Sequence, residues 1–165
     1  MPVYDVEALS RTAISDAFPI VHLVMPKLDL QAWQRFAQSS LHTSRDRPAG
    51  ILIARRRARR HISGLVCYRL EADLTCGRII QAGNLIGIDI LDPRPIILLL
   101  IRHLGRLAQL NGCTAVHIRI PDGDSAATFL LGLLDEEGVH RRVRCLQDVE
   151  LLLKDLLPSE ETRID

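Results

Sequence analysis

The stretch from Arg78 to Ile120 constrains this chain more than any other. A long β-prone run, Arg78 to Leu91, ends in Asp92-Pro93-Arg94-Pro95. The apolar residues Ile96, Leu100, Leu104, Leu107 and Leu110 then share one helical face, with Arg102, Arg106 and Gln109 opposite. Pro95 suits a first helical turn, where its missing N–H breaks no intrahelical bond, and Asn111-Gly112 supplies a left-handed stop. Beyond it Val116, Ile118 and Ile120 alternate with His117 and Arg119, the pattern of a strand with one buried face. A strand, helix and strand in this order make a right-handed crossover with the two strands parallel. Gly87, inside the first of them, marks a bulge or a close backbone approach.

The flanking segments supply antiparallel partners and helices. Asp5 to Phe18 predicts a helix. Pro19 and Pro26 bracket the apolar Ile20 to Met25, and Asp29 caps a second helix through Leu30, Trp33, Phe36 and Ala37. Ser39 to Gly50 reads as a loop. Gly50 to Ala54 and Ile62 to Leu70 are short strands joined by the basic stretch Arg55 to His61. After Pro121-Asp122-Gly123, Ser125 to Glu137 forms a helix ended by Gly138, and a last extended piece runs from Val139 to Lys154. The expected fold is α/β: a mixed, mostly antiparallel sheet with one parallel βαβ unit, flanked by helices, in a single domain over 1–165.

Charge and cysteine usage narrow the setting. With 21 basic against 20 acidic residues there is no global electrostatic case for nucleic acid or membrane. The longest aliphatic run, Pro95 to Ile101, is too short to span a bilayer. The first residues show no basic-then-apolar pattern and carry Asp5 and Glu7, so no removable signal peptide is expected. Cys67, Cys76, Cys113 and Cys145 form no CxxC pair, which predicts reduced thiols in a cytoplasmic protein. The six histidines show neither HxxxH nor HExxH spacing, so no metal is expected. Neither a GxSxG nor a GxxxxGK[ST] motif occurs.

Five segments carry a resemblance. Asn84-Leu-Ile-Gly-Ile-Asp-Ile-Leu-Asp92, the helix ending Leu-Ala-Gln-Leu-Asn-Gly112-Cys, and Ala115-Val-His-Ile-Arg-Ile120 resemble the central strand, helix and strand of the GNAT N-acetyltransferase superfamily. Ser125 to Val139 and Cys145-Leu-Gln-Asp-Val-Glu-Leu-Leu-Leu-Lys154 resemble its last helix and strand. The resemblance implies transfer of an acyl group, usually acetyl, from acetyl-CoA or another acyl-CoA to a small-molecule or protein amine. By position it implies that Ile88, Asp89 and Ile90 line the pantetheine opening. Arg94, Ile96 and Ile97 then stand at the pyrophosphate, at the N-terminus of the helix.

The chain departs from that family's pattern in three places. Asp92-Pro-Arg-Pro-Ile-Ile-Leu98 has none of the glycines that let the backbone approach a diphosphate. Asp122-Gly123-Asp124-Ser125 replaces the customary Asn after the next strand, leaving Asp124 as the cofactor-side candidate there. Leu134 stands where the family often has a tyrosine; the only tyrosines are Tyr4 and Tyr68. Asp89 is the candidate general base, and a backbone N–H near Gly87 to Ile90 the oxyanion donor; the alternative for Asp89 is a solvent-facing or turn-capping carboxylate. Two readings stand beside the acyltransferase: a catalytically silent acyl-CoA-binding or protein-interaction module, and a nucleic-acid-associated protein using Arg55 to His61. The plainer account of that basic run is a solvated hairpin tip, since no aromatic residue interleaves with it. Surplus aliphatic surface around Leu98 to Ile101 and Leu130 to Leu134 is available for a homodimer contact.

Overall fold

The computed structural model describes residues 3–42, 48–120, 123–139, 141–145 and 148–157, with backbone alone for Asp124, residues 141–145 and Lys154. In chain order they form β1 (Tyr4–Ala8), a 3-10 segment (Arg11–Ala17), α1 (Phe18–Val24), α2 (Leu30–Ser40), β2 (Ala49–Arg56), β3 (Ile62–Asp73) and β4 (Gly77–Gly87). There follow α3 (Arg94–Leu110), β5 (Ala115–Arg119), α4 (Asp124–Glu136), β6 (Arg141–Cys145), β7 (Asp148–Leu152) and α5 (Leu153–Leu156). One sheet carries all these strands in the order β1-β2-β3-β4-β5-β7-β6. Every neighbouring pair is antiparallel except β4 and β5, which the α3 crossover makes parallel.

Local sequence explains most element ends. The Asp29 carboxylate accepts the Ala32 N–H at 2.7 Å and starts α2, while the Trp33 indole donates to the Ile14 carbonyl at 2.7 Å, fastening α2 to the 3-10 segment. Gly112 stops α3 with a φ of 67°. Two expectations are corrected. Asp5 to Phe18 is not one helix: Tyr4 and Val6 turn inward and Asp5 and Glu7 outward, a period of two that makes the edge strand β1 before the 3-10 turns begin. Val139 to Lys154 is not one extended piece but the hairpin β6–β7 followed by α5.

The sheet is covered on both faces. Ile97, Leu100 and Leu104 of α3, Leu130 and Leu134 of α4 and Leu156 of α5 pack with Val66, Ile80, Val116 and Ile118. On the other face Trp33, Ala37, Ile14 and Val21 pack against Ile51, Ile53, Leu65 and Ile86. Leu100, Ile101, Leu130 and Leu134 belong to the interior, so little of that aliphatic surplus remains on the surface.

Two features near the end of β4 shape the space between it and β5. Opposite β3, Leu65 pairs with Ile86 and Cys67 with Gly83, so Val66 alone faces both Asn84 and Leu85. This is a β-bulge, and Asn84 adopts a φ of 52° within it, a conformation asparagine tolerates better than most residues. The bulge therefore lies before Gly87. Gly87 serves instead as the close approach: a Cβ there would meet Ile97 Cδ1 at 2.7 Å, so its absence lets α3 press onto the strand.

Candidate functional site

The parallel pair is joined only from Ile79↔Ala115 to Ala82↔Ile118. Past that point β4 bends at its bulge and continues with β3 alone, while β5 ends at Arg119. A cavity of about 530 Å³ occupies the opening. Its walls are Asn84, Leu85, Ile86 and Gly87 of β4, Arg119 and Ile120 leaving β5, Ile97 of α3, and Phe129 and Leu130 of α4. Val24 and Met25 close it from the α1 side. The split follows from the sequence: an extra residue in β4 on the β3 side forces the bend that parts it from β5.

A second cavity, about 630 Å³, is lined by residues that precede Val24 in α1 and follow Gly87 in the chain, and it shares no lining residue with the first. Pro19, Ile20 and Leu23 of α1 and Ile88, Asp89, Ile90 and Leu91 after β4 form its walls, with Tyr4, Arg56, Arg59 and His61 around the rim. The residues that the family resemblance placed at pantetheine, Ile88, Asp89 and Ile90, line this second cavity. The earlier bulge puts Asn84 to Gly87 on the cleft instead.

Asp89 is tightly held. Its Oδ2 accepts the Tyr4 hydroxyl proton and its Oδ1 accepts the Leu91 N–H at 2.8 Å and the Asp92 N–H at 3.4 Å. The tyrosine hydrogen bond, then the two backbone donors, keep its carboxyl below the ordinary carboxylate range. The same hydrogen bond, with burial, raises the Tyr4 phenol above its ordinary value. Asp89 is thus a turn-capping carboxylate that also faces a cavity. Tyr4, eighty-five positions away, escaped sequence reasoning; only the alternation of Tyr4, Val6 and Ala8 with Asp5 and Glu7 pointed to a strand there.

At the start of α3 the backbone donors are engaged. Arg94 N–H donates to Asp92 Oδ1 at 3.0 Å, Pro95 has none, and the Ile96 and Ile97 N–H groups donate to the Pro93 carbonyl at 3.1 and 3.2 Å. The Arg94 guanidinium lies 2.9 Å from Asp92 and 3.5 Å from Glu136, and Ile96 and Ile97 bury their side chains in the core. Asp124 stands at the first position of α4, with its side chain outside the described set. The Pro121-Asp122 half of the preceding turn also lies outside the described residues.

The basic run forms the end of β2 and the connection to β3. Arg55 pairs with Glu7 at 2.6 Å and Arg57 with Asp5 at 2.9 Å. Among the described residues no ion pair involves Arg56 or Arg59, which are the two that reach the second cavity. A second basic group, Arg141, Arg142 and Arg144, lies on β6 at the opposite edge of the sheet, and His140 lies outside the described residues.

The thiols fall into two settings. Burial pushes Cys67 up to about 11 and also raises Cys113, so neither is disposed to act as a nucleophile. Cys76, His117 and Glu150 converge, although their sequence spacing showed no such cluster.

The sheet is mixed, its one parallel pair among the described residues splits beside a bulge, and a helix crosses over at the split. No protein-family model matches the chain, and no curated protein matches it in sequence. In structure it is similar to an aminoglycoside N-acetyltransferase in complex with CoA, with a TM-score of 0.66 at 14% identity over 86% of this chain and 95% of the other. It is also similar to a ribosomal-protein-alanine N-acetyltransferase from Brucella melitensis, with a TM-score of 0.63 at 16% identity over 79% and 90%. A GNAT-family acetyltransferase from Staphylococcus aureus gives 0.64 at 9% identity over 92% and 99%. The chain has the GNAT fold.

Proposed function

We propose that the protein is an acyl-CoA-dependent N-acyltransferase whose acceptor is an amine that also carries an anionic group. The observation that carries this reading is the split between β4 and β5: a mostly apolar cleft bordered by strand backbone, of the form an extended thioester arm requires. The amine attacks the thioester carbonyl, the carbon–sulfur bond breaks, and the thiolate leaves and takes a proton from solvent. Asp89 is assigned to receive the acceptor's ammonium end, which suits a carboxylate that stays ionised, and water accepts the proton that the amine loses. A β4 backbone N–H beside the bulge is assigned as the oxyanion donor. Arg56 and Arg59 take the acceptor's carboxylate or phosphate. Free thiols and the fold suit a cytoplasmic enzyme; among the described residues no helix is long and apolar enough to cross a membrane.

A thermal-shift titration with acetyl-CoA tests binding, with a concentration-dependent rise in midpoint expected. Thiol release with a panel of amines then tests turnover, acidic amines being the better substrates. No shift at millimolar acetyl-CoA together with no thiol release removes the reading.

One observation favours a second reading, a silent relative that binds a ligand without turnover. The start of α3 has its donors engaged and is flanked by Asp92 and Glu136, which repel a diphosphate. A midpoint shift without thiol release for any amine would select it.

A further inference from the structure

Three side chains from separate parts of the chain meet on the sheet face that points away from α3. Val116 and Ile118 enter the α3 core, so His117 between them projects to the other face, where register sets it directly opposite Glu150 of β7. His117 Nε2 lies 3.0 Å from Glu150 Oε2, and Cys76 Sγ lies 3.1 Å from the same oxygen. All three ligand-type atoms fall within 4.8 Å of one another. His117 and Glu150 are each only 4% exposed. The backbone that carries the thiol is pinned on both sides: Cys76 N–H donates to Asp73 Oδ1 at 2.8 Å, and its carbonyl accepts the Thr114 hydroxyl at 2.6 Å.

We propose that Cys76, His117 and Glu150 hold a divalent cation of the zinc type, with water or a further protein group completing the coordination. The donor set is one soft sulfur, one imidazole nitrogen and one carboxylate oxygen, the mixture zinc accepts. Binding needs a thiolate and an unprotonated imidazole nitrogen, so it displaces the protons on the ligating atoms, and the ion balances the thiolate and carboxylate charges. That balance offsets the cost of burying the carboxylate. Around tetrahedral zinc, ligand atoms sit about 3.4–3.6 Å apart, so the observed contacts need to open by about half an ångström. The bound ion joins the turn before β4 to β5 and β7. It clamps the closed end of the parallel pair, at the opposite end of β4 from Asp89, and does not depend on the acyltransferase reading.

The competing arrangement is a metal-free hydrogen-bonded cluster, with Arg142 of β6 at the register position facing Glu150. Metal titration of the full chain, purified without a metal-affinity tag and treated with chelator, separates the two. Cobalt(II) is expected to bind at one equivalent with a thiolate-to-cobalt charge-transfer band, zinc to displace it, and zinc to raise the unfolding midpoint. Cys76→Ser should abolish the band while circular dichroism stays native, and His117→Gln should weaken binding by about tenfold or more. Folded wild type that binds no cobalt overturns the site, as does binding unchanged in both variants.

Discussion

The Tyr4 hydroxyl donates to Asp89 Oδ2, joining the edge strand β1 to the turn that leads into α3. This contact closes one side of the second cavity and fixes the carboxylate that faces it. Tyr4→Phe removes the largest cause of the lowered Asp89 pKa, so its carboxyl should titrate closer to the ordinary range, read by NMR of the side-chain carbon. In the folded chain Asp89 titrates below its unfolded value, so its contribution to stability is complete above the ordinary carboxylate range. It is lost as pH falls from the ordinary carboxylate range through the lower folded value. The variant should therefore lose less of its unfolding midpoint across that window than the wild type does. Conversely, Asp89→Asn should lower the Tyr4 phenol toward 10.0, seen as an earlier phenolate transition in the ultraviolet. An unchanged phenolate titration in Asp89→Asn contradicts the contact.

Gly87→Ala places a methyl group against Ile97, whose side chain is buried and held within the core. Overpacking of this kind costs about 1–3 kcal/mol, a midpoint lower by roughly 3–10 °C for a chain of this length. Gly64→Ala meets Ile96 in the same way. Gly132 in α4 has open space around it, and Gly132→Ala should stabilise by about 0.4–1 kcal/mol. Thermal denaturation of the three variants checks the contrast, and equal effects at Gly87 and Gly132 would contradict the role given to the close approach.

The parallel pair and its crossover were legible because α3 has a sharp amphipathic period and a clear glycine stop, and β5 alternates cleanly. The first strand was hidden because its five residues of alternation run straight into the 3-10 turns, which share their mixed polarity. The bulge was displaced in the reading because Gly87 is the louder signal. Asn84, the non-glycine residue type that best tolerates a positive φ, carried the quieter and correct one. Pairings such as Tyr4 with Asp89, or His117 with Glu150, depend on sheet order and register, which no local pattern encodes.

Arg56 and Arg59 border the second cavity without an ion pair among the described residues, unlike Arg55 and Arg57. If they take the acceptor's anion, Arg56→Ala with Arg59→Ala should raise KM for acidic amines by about tenfold or more, the loss expected for a charged hydrogen bond, with kcat little altered. KM for a neutral amine should hardly move. Steady-state kinetics on a matched acidic and neutral amine pair reads the difference, and equal losses on both would assign the arginines to folding or to the donor.

The start of α3 gives the remaining prediction. A helix N-terminus binds diphosphate through free N–H groups and dipole, yet here Asp92 and the Pro93 carbonyl already accept the available donors. Arg94, the nearest cation, is held by Asp92 and Glu136, which raise its pKa, with Asp92 the stronger influence. Recognition of the donor should then rest on its pantetheine arm in the β4–β5 cleft, with little added by the nucleotide. Acetyl-pantetheine should support thiol release with a KM within about threefold of that for acetyl-CoA, a difference under 1 kcal/mol. Asp92→Ala, by freeing the Arg94 guanidinium and N–H, should lower KM for acetyl-CoA alone. A large preference for acetyl-CoA in the wild type, abolished by Arg94→Ala, would show instead that this turn opens to receive the phosphates.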